Sequence, residues 1–274
     1  MLLAIGVTLA KWAEFDVSPL GPSALIRHGQ WWRLITDVLP HGNLRRVFGA
    51  VIEEAFGHLK TAGLLVLFAV GSSALEFGVL DGGIGLSGVG YGFFGLLWML
   101  SKYDRRFQDA LDAHTIQVFV FWFFLCIVTT ALHVMSVANL AHAGGLILGV
   151  LVGSAIARPQ QRKLNASATA VAFALMVWGA TSGRPLVNLS GNGGFEEAHL
   201  GVQALNGNRN QEAVRWLQDA TRYRPKMVQF WELLSVAEER AGNHAAALAA
   251  FEKAQQLRPA PAASSSEKSD DDSK

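Results

Sequence analysis

One cysteine, Cys126, stands alone in 274 residues, so no disulfide can form within the chain. Charge is also scarce: Asp, Glu, Lys and Arg make up 16% of the residues and sum to a net +1. That balance gives no reason to expect a nucleic-acid partner. No His-Glu-x-x-His occurs, which removes the usual helical zinc-hydrolase signature. Paired membrane-embedded aspartates are missing too, because Asp81 sits in a glycine-rich loop and Asp104 beside Arg105. Met1 to Ala13 is apolar but has no basic stretch before it. This argues against a signal peptide and for a first membrane helix that is short or truncated.

What the chain has in quantity is apolar residues, 51% of the total, and 28 glycines. They concentrate in four long runs: Thr61 to Leu80, Ser87 to Ser101, Thr115 to Val137 and Asn139 to Ala157. A fifth, Ala166 to Thr181, is near the minimum for a membrane span. Trp31 to Lys60 holds no such run and carries His41, Asn43, Arg45, Arg46, Glu53 and Glu54, so an irregular, partly interfacial helix is expected there. Lys102, Arg105 and Arg106 follow the second run, and Arg158, Arg162 and Lys163 follow the fourth. Basic short loops face the cytoplasm. The second and fourth helices therefore run parallel, and a crossing by the fifth puts everything after Arg184 on the extracytoplasmic side.

Ser87 lies in Gly85-Leu86-Ser87-Gly88-Val89-Gly90-Tyr91-Gly92, and His142 in Ala141-His142-Ala143-Gly144-Gly145. Ser87 precedes Lys102 by 15 residues and His142 precedes Arg158 by 16, so they sit about 22 and 24 Å from their basic loops. In a hydrocarbon core about 30 Å thick both fall just below the opposite surface. Ser87, Tyr91 and Trp98 share one helical stripe beside Gly88, Gly92 and Gly95, and His142 shares a face with Gly145, Gly149 and Gly153. Glycine stripes let helix backbones approach closely in lipid. A serine and an imidazole at one depth suit nucleophilic acyl chemistry, with His142 taking the Ser87 proton. Taken singly, each residue reads more simply as a helix-packing group; the pairing and the shared depth favour function. With no acidic third member nearby this is a dyad, and the Ser87 amide at a helix start is a candidate oxyanion donor.

Trp32-Arg33, His41 nine residues after the tryptophan, Gly-Leu-Ser-Gly-Val-x-Tyr and Ala-His-x-x-Gly-x-x-x-Gly together resemble the rhomboid intramembrane serine proteases. The resemblance covers about residues 25 to 157. It implies a six-helix core, Ser87 as nucleophile, His142 as general base and Tyr91 stacked on it, with no cofactor or metal. It also implies substrates that are transmembrane segments of other proteins in the lipid bilayer, cut near the membrane surface. Asn43 and Gly85 join Tyr91 as supporting or oxyanion candidates. One departure stands out: five and nine residues after His41 the family has a histidine and an asparagine, and this chain has Arg46 and Ala50.

After Gly194 the pattern turns to amphipathic helices with a 34-residue offset: Ala213 with Ala247, Leu217 with Phe251, Ala220 with Ala254 and Pro225 with Pro259. Period, alanines and closing proline resemble tetratricopeptide repeats, whose usual use is to dock a peptide or protein partner.

The expectation is thus all-α: a polytopic, rhomboid-like membrane bundle over 1–164, a further transmembrane helix over 165–184, helical repeats over 195–259 and a disordered tail over 260–274. Its expected place is the bacterial inner (plasma) membrane, crossed several times, with the repeats on the extracytoplasmic side. Two alternatives stay open: a weakened or inactive rhomboid-like protein that binds membrane helices, and a membrane-tethered repeat scaffold.

Overall fold

A computed structural model describes residues 26, 29–30, 48–80, 82 and 86–258, and among them every regular element is helical. The expected first helix, Trp32, Arg33, His41, Asn43, Arg46, Asp81, Gly85 and the tail after Arg258 lie outside the described residues. The chain divides into two compact units between Gly193 and Gly194.

In the first unit, α1 (Gly49–Phe56) meets α2 (His58–Val79) at Gly57, whose φ of +77° suits glycine and breaks the helix. Helix α3 (Ser87–Tyr103) begins at the serine itself. Asp112 caps α4 (Ala113–Ala131) by accepting the Thr115 amide at 2.7 Å. That helix ends six residues short of the expected Val137, because His133 takes a left-handed φ of +56° and Thr130 turns to the following chain. There Thr130 Oγ1 accepts from Asn139 Nδ2 at 3.0 Å, at the start of α5 (Asn139–Ala157). Helix α6 (Arg162–Ala180) and a short α7 (Arg184–Val187) complete the unit.

By length and composition α2, α4 and α5 can cross a membrane; α3, at 17 residues, and α6 fall outside that set. Helix α6 nevertheless packs on α2 and α5 while exposing Val171, Leu175 and Trp178, an outward apolar row. Helix α4 is the most exposed of the set, presenting Phe121, Trp122, Phe124 and Val128 outward. These faces suit lipid rather than water.

Among the described residues the second unit has four helices: α8 (Phe195–Asn206), α9 (Asn210–Tyr223), α10 (Val228–Arg240) and α11 (His244–Leu257). Gly194 (φ +92°) starts it, its amide donating to Glu197 Oε2 at 3.0 Å. Ala213, Leu217, Ala220, Phe230, Leu234 and Ala237 form the buried seam between the two hairpins. Cross-links Asn210 Nδ2 to Arg240 O (2.8 Å) and Gln218 Nε2 to Glu238 Oε1 (3.2 Å) hold α10 against α9.

Candidate active site

The site is built where α3 and α5 touch without intervening side chains. A Cβ on Gly145 would collide with the Gly88 carbonyl, and one on Gly149 with the Gly92 carbonyl. A Cβ on Gly95 would stand 2.8 Å from Leu146 O, and one on Gly153 at 2.8 Å from Leu96 O. The glycine stripes therefore form one continuous backbone-to-backbone seam, with small residues doing in lipid what apolar burial does in water. The seam sets the register. A Cβ on Gly88 would lie 3.1 Å from Ala141 O, so the residues next to Ser87 and His142 are in contact.

Tyr91 stacks on His142 with ring centroids 4.6 Å apart and 35° between planes. Its hydroxyl donates to Phe119 O on α4 at 3.0 Å, and Phe119 and Phe123 pack edge-on against its ring at 5.4 and 5.6 Å. Tyr91 is thereby locked between two helices and holds one face of the imidazole. His142 is only 1% exposed, and neither of its ring nitrogens has a hydrogen-bond partner among the described residues. Ser87 is partly exposed at the head of α3, and no hydrogen bond joins it to His142 there. As the first residue of α3, its amide is one of the orphan donors of a helix start. Of the other candidates, Asn43 and Gly85 are outside the described residues, and Ala50 lies in α1.

Two supports escaped the sequence reading. Glu76, the one acidic residue of α2, is buried, and its Oε2 accepts the Ala141 amide at 3.0 Å. It caps the start of α5, whose own preceding residue Ala138 offers no side-chain cap, one residue before His142. Its signal was legible: an acid in a long apolar run is a candidate for function by default. Ser72, buried one turn earlier, donates to Ala69 O at 3.2 Å and wedges between Gly88 and Gly144. Its small side chain gave no such signal.

Known proteins bear on this site. Residues 28–159 match the rhomboid domain. A relative named Rhomboid-like protease 1, from Toxoplasma gondii, is 31% identical over 144 residues, which are 47% of this chain and 48% of the relative. The chain thus spans about half the length of that relative. The rhomboid match and the apolar helices together make this an integral membrane protein. Helices α6 and α7 and the whole second unit lie beyond the rhomboid-matched stretch.

Proposed function

We propose that this chain is a rhomboid-type intramembrane serine endopeptidase that cleaves transmembrane segments of other proteins. His142 accepts the Ser87 hydroxyl proton as the oxygen attacks a peptide carbonyl, then delivers that proton to the leaving amine. Water, deprotonated by the same imidazole, releases the acyl group and restores the serine. The Ser87 amide supplies an oxyanion donor, joined by Gly85 and Asn43, each donor worth about 3 kcal/mol in the transition state.

One observation carries the reading: a buried imidazole whose two nitrogens have no partner among the described residues, clamped by Tyr91, on the residue beside Gly88's contact point. A buried polar ring without partners is costly in a purely structural role. The open serine–histidine bond fits a resting site, since such bonds often tighten only with substrate bound. The remaining assignments belong to the same proposal: a six-helix core, α6 as an added span, cytoplasmic basic loops after α3 and α5, and two tetratricopeptide-type repeats that dock a partner outside the cytoplasm.

A fluorophosphonate tests the proposal on the detergent-purified chain. Ser87 is expected to label, and both Ser87→Ala and His142→Ala to lose labelling. Labelling that persists in Ser87→Ala ends the proposal. The second reading, a rhomboid-like binder of membrane helices that does not cut, is favoured by Arg46 and Ala50 standing where the family has donors. It predicts no labelling of the native chain.

A further inference from the structure

The end of α2 closes in an unusual way. A helix leaves its last carbonyls without partners, and these usually turn to water or to a glycine cap. Here a distant segment supplies them. Arg184, 3% exposed, donates from Nε to Phe77 O at 2.9 Å and lays its guanidinium over the Phe77 ring, 3.9 Å from its centroid. The Leu189 amide donates to Val79 O at 2.7 Å, and Asn188 Nδ2 to Leu80 O at 3.1 Å. Between Phe77 and Val79, Gly78 touches Gly179 through the backbone: a Cβ on Gly78 would stand 2.8 Å from the Gly179 carbonyl carbon. Three donors and one close approach thus fasten the last turn of α2.

Glu76 sits in that turn, next to Phe77, and holds the Ala141 amide at the head of α5, next to His142. From these contacts we infer that Arg184, outside the rhomboid-matched stretch, is a positioning residue for His142, acting through the last turn of α2 and the Glu76 cap. The segment 184–189 is then a clasp that completes the site from beyond the matched domain. Its physical logic is short-range: the guanidinium fixes Phe77, the neighbouring Glu76 keeps its aim, and the first turn of α5 keeps the imidazole against Tyr91. The consequence for peptide cleavage rests on the protease reading above; the consequence for α5 does not.

The test is hydrogen–deuterium exchange on the full chain in detergent, comparing the native protein with Arg184→Gln and Arg184→Lys. Arg184→Gln is expected to speed exchange in the segment 138–146 by about ten- to a hundredfold, the scale of a lost charge-assisted hydrogen bond. Exchange across 150–157 and 195–257 should hold, and Arg184→Lys should recover part of the loss. Faster exchange at 76–80 with 138–146 unchanged would overturn the relay. Uniformly faster exchange across the first unit would also overturn it, by making the arginine a general fold prop. Should Arg184→Gln fail to accumulate, Asn188→Ala removes a single donor and carries the same prediction, at about threefold. In a second arm, fluorophosphonate labelling of Arg184→Gln should show a lower inactivation rate constant at unchanged probe affinity. A native chain that never labels sinks the protease reading and leaves the exchange result to decide the clasp.

Discussion

The two units hold their helices together by opposite means. In the first, Gly88, Gly92, Gly145 and Gly149 bring α3 and α5 into backbone contact, and much of the apolar bulk faces outward on α4 and α6. In the second, Leu217, Phe230 and Leu234 point inward among alanines, and the helices are kept apart by side chains. Lipid gives no hydrophobic reward for burying a leucine, so closeness and hydrogen bonds do the work. Water gives that reward, about 25 cal/mol per Å² of apolar area buried. The lesson concerns substitution: added bulk should break the first unit, and removed bulk the second.

The largest effect should come from Gly145→Val, which drives a side chain into the Gly88 carbonyl. The cost is at least about 3 kcal/mol, seen as loss of a cooperative melt of the membrane unit with the second unit's helices intact. An unchanged melt would show that the seam can spread at little cost. Next, Leu217→Ala should cost about 2–5 kcal/mol in urea unfolding of the full chain, because Leu217 is 0% exposed. Its counterpart 34 residues on, Phe251, is 47% exposed, and Phe251→Ala should cost under about 1 kcal/mol. Equal costs would mean that something covers the end of the second hairpin.

Glu76→Gln comes third. Exchanging the carboxyl for an amide should weaken the buried bond to the Ala141 amide, so about 1–2 kcal/mol of stability should go, together with most Ser87 labelling. Retention of full labelling would separate the cap from the site. The smallest effect belongs to the loop after α3. Hydrogen bonds from Arg106 hold the Asp104 carboxyl below the usual carboxylate range. A lowered value in the folded state contributes stability above the unfolded value of ~3.9, and that stability is lost as pH falls through the folded one. The pair is open to water, so acidifying across that window should leave Tm without a resolvable step. A clear acid transition traced to Arg106→Ala would contradict this.

Much of the site was legible in the residues. The glycine stripes that carry Ser87, Tyr91 and His142 announced that their helices would pack closely; the stripes meet, and Tyr91 lies against His142. The supports were harder to read. Glu76 carried a signal, but its partner Ala141 is 65 residues away and contributes only a backbone amide, identical in every residue type. The early end of α4 turned on a left-handed His133, which no propensity announces. The 34-residue offset treated Leu217 and Phe251 as equals, when among the described residues only Leu217 has a helix stacked over it.

The order of apolar runs and the glycine spacing are local properties, and the sequence alone determined from them a helical chain in which the glycine-lined helices of Ser87 and His142 pack closely. Only the tertiary structure decided which groups satisfy the helix ends, here Glu76 for α5 and Arg184, Asn188 and Leu189 for α2. The reason is that an orphan amide or carbonyl must be paired by whatever the fold brings within about 3 Å, and that neighbour can come from any distance along the chain.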